Sequence, residues 1–245
     1  MAEPADTSEA PAVLLAAEPV LRATGISAGY GALAAVRDVS LEVAPGEIVA
    51  LLGANGAGKT TTLLAIMGEC TLFSGQVTFA GQQIDGWPLH RRARNGLAFV
   101  SEERSVFMGL SVIDNLRLGA GTIEAAVAIC PELKPMLKRR AGLLSGGEQR
   151  MLTLARTLAA EPKVLLVDEL SLGLAPQITA RLLDVLRSAV DGTRVGVLLV
   201  EQQARRALAA VDRAYVLRRG EIVLEGRGDD LAKRHAEVEA MYLTG

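Results

Sequence analysis

Runs of consecutive apolar residues at 48–52, 164–167 and 195–200 punctuate the chain, each bounded by turn-forming or charged residues. Such runs suit parallel strands covered on both faces, because a strand with one wet face alternates apolar and polar side chains. They predict an α/β fold built on a doubly covered sheet. Alternating stretches at 20–28, 39–43 and 76–79, the last flanked by Gly75 and Gly81, predict a smaller antiparallel sheet. Farther on, 214–217 and 222–225 are joined through Arg-Arg-Gly-Glu and predict a hairpin. The charged stretch from about 86 to 143 lacks a clear strand series and predicts an inserted, mostly helical subdomain. Within it, His90, Arg91, Arg92 and Arg94 read as a solvated helix face.

The length of 245 residues fits one α/β domain with an inserted or appended subdomain. A formal charge of -2 gives no sign of a broad nucleic-acid-binding surface. Half the residues are hydrophobic, yet no stretch of about 18 uncharged apolar residues occurs. The chain is therefore not expected to span a bilayer itself, and any membrane role comes through a partner. The first basic residue is Arg22, so residues 1–21 lack the positive start of a secretory signal. The Ala/Pro/Glu-rich opening reads as a disordered N-terminal extension over 1–19, ahead of one domain over 20–245. Cys70 and Cys130, far apart and without metal-ligand spacing, read as reduced thiols of a cytoplasmic protein.

Two glycine-bearing motifs carry the chemistry. Gly53, Ala54, Asn55, Gly56, Ala57, Gly58, Lys59 and Thr60 follow the first apolar run directly, and a helical stretch, 60–67, ends at Gly68. Strand, loop and helix in that order form a phosphate loop, since glycines let backbone N–H groups converge on phosphates at a helix N-terminus. Lys59 is then placed to reach the β- and γ-phosphates, and Thr60 to offer its hydroxyl to Mg²⁺; Thr61 continues the nucleotide-binding stretch. The run at 164–167 ends in Asp168 and Glu169, where one carboxylate can serve Mg²⁺ and the next can polarise an attacking water.

The second motif is Ser145, Gly146, Gly147, Glu148 and Gln149, ahead of Met151, Leu154, Ala155 and Leu158 at helical spacing. Ser145 can cap that helix, with Glu148 closing a capping box, and its hydroxyl and the glycine N–H groups can also meet an anion. A cap alone leaves the two glycines unexplained.

With these residues the chain resembles the ATP-binding subunits of ABC transporters over about 20–245. Among them it looks most like the second ATP-binding subunit of branched-chain amino acid importers. Five stretches carry that likeness: Gly-Ala-Asn-Gly-Ala-Gly-Lys-Thr-Thr at Gly53, Glu-Xaa-Arg-Xaa-Val-Phe at Glu102, Ser-Leu-Gly-Leu-Ala-Pro at Ser171, Leu-Val-Glu-Gln at Leu199 and Tyr-Leu-Xaa-Gly at Tyr242. The resemblance implies a P-loop NTPase, RecA-like core with an antiparallel β subdomain and the inserted helical subdomain. It implies a head-to-tail dimer, in which Ser145 and Gly147 of one subunit cover the γ-phosphate bound by Lys59 of the other. ATP and Mg²⁺ are the implied cofactors, and Tyr30 matches the family's adenine-stacking aromatic, its alternative being a strand-end tyrosine half in the core.

The implied partners are a second ATP-binding subunit, two transmembrane permease subunits and an extracytoplasmic solute-binding protein, with no nucleic acid. The chain would sit peripherally on the cytoplasmic face of the cell membrane. The subfamily favours a heterodimer, with a homodimer as the alternative. Glu102 stands where most relatives carry a glutamine that senses Mg²⁺ and the permease, and Gln202 where most carry a switch histidine. Leu170 and Ala175 depart from a proline and an aspartate of many relatives without deleting a catalytic group. Residues 104–116 would form the permease-docking surface, and Val106, Phe107, Met108 and Leu110 fit either that interface or the subdomain core. Two other readings share the motifs: a soluble ABC-type ATPase acting on ribosomes or DNA, and a regulatory nucleotide-binding module with little turnover.

Overall fold

The computed structural model describes residues 18–103 and 105–243. Nearly all of the expected N-terminal extension, and the final glycine of the Tyr242 stretch, lie outside them. A long hairpin comes first, β1 (Leu21–Tyr30) and β2 (Leu33–Val43). After β3 (Ile48–Leu52) and α1 (Lys59–Met67) the chain returns through β4 (Thr71–Phe79) and the short β5 (Gln82–Gln83). These complete a four-stranded antiparallel sheet in the order β2-β1-β4-β5.

A short helix α2 (Leu89–Arg94) leads to β6 (Leu97–Val100). Helices α3 (Val112–Arg117) and α4 (Ile123–Ile129), two 3-10 turns and α5 (Gly146–Leu158) follow. The chain then alternates through β7 (Val164–Asp168), α6 (Pro176–Thr193), β8 (Gly196–Glu201) and α7 (Ala204–Leu208). It closes with the hairpin β9 (Arg213–Arg218) and β10 (Glu221–Arg227), and with α8 (Gly228–Lys233) and α9 (His235–Leu243).

Strands β10-β9-β3-β8-β7-β6 make the main sheet, parallel except for β10. The apolar runs are buried on both faces because neighbouring residues of one strand enter different cores. Val49, Leu51, Leu166 and Leu198 face the core shared with α1 and the antiparallel sheet. Ala50, Leu52, Leu165 and Leu199 face the core on the opposite side, which includes residues of α5 and α6. Helix α1 is thus held between two sheets, which is why seven of its nine residues are buried.

Two expectations need correction. The mostly helical stretch 86–143 also holds one strand: β6 lies within it and pairs with β7 at the edge of the main sheet, so the insertion proper begins only after it. Its four residues, Leu-Ala-Phe-Val, form an apolar run no longer than that at 164–167, but one set in an otherwise charged stretch. The basic cluster at 90–94 is not wholly a solvated face either. Arg92 is buried and donates to the carbonyls of Trp87 at 2.9 Å, Asp85 at 3.0 Å and Ile66 in the last turn of α1. Its guanidinium thereby satisfies three main-chain acceptors beneath the nucleotide-loop helix.

Candidate functional site

Strands β3, β7 and β8 lie side by side with Leu52 opposite Glu201 and Asp168 opposite Val200. Their C-terminal ends therefore deliver the 53–58 loop, Asp168 with Glu169, and Gln202 to one edge of the sheet, where parallel α/β sheets bind ligands. The loop passes under the start of β2. Gly58 has φ 106°, and a Cβ there would sit 2.6 Å from Val36 Cγ1 and 3.0 Å from the Ala35 carbonyl, so glycine is required at this position. Gly58 leads into α1 with no side-chain cap and no acidic residue in the first turn, leaving the positive helix end open to an anion.

Lys59 is 4 % exposed; its Nζ donates to the carbonyls of Gly53 at 3.0 Å and Ala54 at 3.1 Å and pairs with Glu169 Oε1 at 3.3 Å. Glu169 follows β7 in the left-handed region at φ 46°, which for a non-glycine residue costs on the order of 1–3 kcal/mol. Its N–H donates to the Val200 carbonyl at 3.0 Å, prolonging the ladder between β7 and β8 by one rung. Asp168 is 2 % exposed, and its Oδ1 has no hydrogen-bond partner among the described residues. Burial pushes its carboxyl up from the usual range; a hydrogen bond from Thr60 opposes this, while the Glu169 and Glu102 charges add to it.

Glu102 and Glu169 lie on the wall of a cleft of about 330 Å³, together with Asn55, Gly56, Lys59 and Thr60. Larger hollows of about 610, 500, 430 and 360 Å³ open elsewhere, but none gathers a lysine, a hydroxyl and carboxylates at the C-terminal ends of the parallel strands; the one holding Glu161, Lys163 and Thr193 lies where β7 and β8 begin. Ala35 and Leu172 also line the cleft; no sequence signal marks Ala35, and Leu172 lies in the Ser171 stretch without a sign of its place, because tertiary folding alone brings β2 and the turn after β7 over the loop. Tyr30 is 55 % exposed at the end of β1 opposite Leu33, itself 73 % exposed, on the hairpin whose Ala35 reaches the cleft.

Residues 145–149 do not line this cleft. Ser145 forms the expected capping box, accepting from the Glu148 N–H at 3.3 Å while Glu148 Oε2 accepts from the Ser145 N–H at 2.6 Å. Packing accounts for one of the two glycines that follow: a Cβ on Gly147 would stand 2.5 Å from Ile178 Cγ2 on α6. Gln149 is buried and donates to the carbonyls of Ala141 at 3.0 Å and Leu144 at 3.2 Å, so its side chain fixes the approach to the helix. Of the four apolar residues after Glu102, Val106 is buried, whereas Phe107, Met108 and Leu110 are exposed beside a turn carrying the exposed Leu143. Asn115 braces that segment by accepting from the Phe107 N–H at 2.8 Å and donating to the Phe107 carbonyl at 3.0 Å.

The donor set suits Mg²⁺. Among the described residues no group of three or more His, Cys, Asp or Glu side chains could hold a metal ion. Mg²⁺ needs no such cage, being held by one or two carboxylates, waters and substrate phosphates. The partnerless Asp168 Oδ1 and the adjacent Thr60 hydroxyl fit that pattern.

An uncapped helix behind a glycine loop, a lysine at its first residue and two carboxylates at the end of the strand next but one define a phosphate-loop nucleoside triphosphatase. Comparison with known proteins narrows the class. The ABC transporter family model matches residues 36–171. The high-affinity branched-chain amino acid transport ATP-binding protein BraG of Pseudomonas aeruginosa is 41 % identical over 90 % of this chain and 97 % of its own. The probable branched-chain amino acid transport ATP-binding protein LivF of Archaeoglobus fulgidus is 36 % identical over 91 % and 98 %. An ATP-binding cassette of an ABC transporter, solved in its ADP conformation, superposes with a TM-score of 0.81 at 24 % identity over 93 % and 99 %. The chain belongs to the ABC transporter family, as an ATP-binding subunit with the ATPase fold. No described helix is long and apolar enough to cross a membrane; membership among transporter ATP-binding subunits is what implies membrane permease partners.

Proposed function

We propose that this chain hydrolyses Mg-ATP on the cytoplasmic face of the membrane to energise an importer of branched-chain or related amino acids. Near full-length similarity to BraG and LivF carries the cargo class. The convergence of Lys59, Thr60 and Glu169 on one strand-end cleft, with Asp168 buried beside Thr60, supports the chemistry. Lys59 and the 53–61 main chain bind the triphosphate, and Tyr30 stacks on the adenine. Thr60 and Asp168, with Glu102 nearby, would hold Mg²⁺, which would neutralise phosphate charge there. Glu169 takes the proton of a water that attacks the γ-phosphorus while the bond to the ADP oxygen breaks, and Gln202 hydrogen-bonds the γ-phosphate. A γ-phosphate oxygen competes with Glu169 for Lys59 and so frees the carboxylate for the water.

Ser145, Gly146, Gly147 and Glu148 face the nucleotide of a second ATP-binding subunit, with Gln149 bracing them from behind, in a heterodimer. The exposed Phe107, Met108 and Leu110 receive a cytoplasmic helix of each of two permeases, which a solute-binding protein supplies. The proposed domain spans 20–245, with a helical subdomain inserted after β6. Tagged chain purified with ATP from gently solubilised native membranes should retain two multispanning proteins and a second ATP-binding subunit by mass spectrometry. Retention of ribosomal or DNA-repair proteins without permeases would overturn the importer reading.

A further inference from the structure

One buried carboxylate at the site has no part in the roles above. Glu201 ends β8 at 5 % exposure, and both its oxygens engage one residue of the turn after β7. The Ser171 N–H donates to Oε1 at 3.0 Å and the Ser171 hydroxyl to Oε2 at 2.7 Å. The Gln202 main-chain N–H is a further donor to the same carboxylate. Ser171 is itself buried, so solvent does not readily replace these bonds.

Glu169 lies inside the loop that this clamp closes. Its own N–H is fastened to Val200 of β8, and two residues later Ser171 is fastened to Glu201 of the same strand. The left-handed φ of 46° falls between the two fastenings, and the turn is closed by the Leu172 N–H on the Glu169 carbonyl at 3.3 Å. A non-glycine residue stays in that region only where its surroundings over-determine it. The Val200 rung fixes where the turn begins; the Glu201 clamp fixes where it goes.

We propose that Glu201 is a positioning residue for hydrolysis. Through its paired bonds to Ser171 it holds the turn that aims Glu169, and it ties that turn to the strand carrying Gln202, so that the two move as one unit. This rests on the reading of Glu169 as the water-activating base. Ser171 and Glu201 both lie in stretches that carry the family likeness, and an apolar strand ending in a carboxylate beside β7 is the sequence signal for the second.

The test compares Glu201→Val, Glu201→Gln and Ser171→Ala in the full chain with its co-purified partners, reading kcat, KM and ATP affinity separately. Glu201→Val is expected to lower kcat about 10- to 100-fold while ATP affinity stays within about twofold, because the general base is misaimed and the phosphate loop is untouched. Glu201→Gln keeps the shape and an acceptor for the Ser171 N–H, and should restore kcat to within about threefold. Wild-type kcat in Glu201→Val, or a loss in Glu201→Gln equal to that in Glu201→Val, would overturn the proposal. If Glu201→Val does not fold, Ser171→Ala carries the test: a reduced kcat at unchanged ATP affinity supports the clamp, and wild-type kcat refutes it. A Glu169→Gln control separates the two claims, since full turnover there would sink the reading of Glu169 rather than the clamp alone.

Discussion

Glu169→Gln protein is expected to bind ATP at least as tightly as the unsubstituted chain and to hydrolyse it about 10²- to 10⁴-fold more slowly, the range general-base removal produces. The amide has the shape of the carboxylate and can still accept from Lys59, so the loop and α1 stay in place. It cannot take a proton from water. It also removes a negative charge 3.3 Å from the Lys59 ammonium, leaving that cation freer to meet a triphosphate. With binding intact and turnover blocked, ATP-bound dimers should accumulate. Phosphate-release kinetics and size-exclusion chromatography with ATP read both effects, and an unchanged hydrolysis rate would refute the assigned role.

Lys59→Ala should fail earlier, at nucleotide binding. A charge-assisted hydrogen bond contributes about 1.5–3 kcal/mol, so losing the ammonium should weaken ATP binding by roughly 10- to 150-fold. The 53–58 loop also loses the two inward bonds from Nζ to the carbonyls of Gly53 and Ala54, which add disorder to the lost charge. Titration with a fluorescent ATP analogue measures the shift, and wild-type affinity would undo the phosphate-loop assignment. The two variants divide the site: one retains the ligand without turnover, the other loses the ligand.

Much of this architecture was legible because buried parallel strands leave long apolar runs and the phosphate loop needs glycines that few other loops do. Strands β3, β7 and β8, helix α1 with its Gly68 cap, the β9–β10 hairpin and the Ser145 capping box all lie where the pattern placed them. Features set by tertiary approach escaped. The four apolar residues of β6 sit in a charged stretch and make a run too brief to stand out from it. Arg92 looks like its exposed neighbours, and only the fold shows the carbonyls it meets. Gly147 follows a serine cap, yet the nearby Ile178 is thirty-one positions on, and no local rule links them. Glu201 and Ser171 are likewise joined only across two strands. Residue type and spacing announce the groups that touch phosphate, whereas the groups that hold them in place become visible through the fold.

Transport energised by hydrolysis at Glu169 is the central claim, and uptake of radiolabelled leucine, isoleucine and valine by cells lacking this chain tests it most directly. Uptake should be lost, restored by the unsubstituted chain and not restored by Glu169→Gln. Uptake that persists without the chain, or that Glu169→Gln restores in full, would contradict the account.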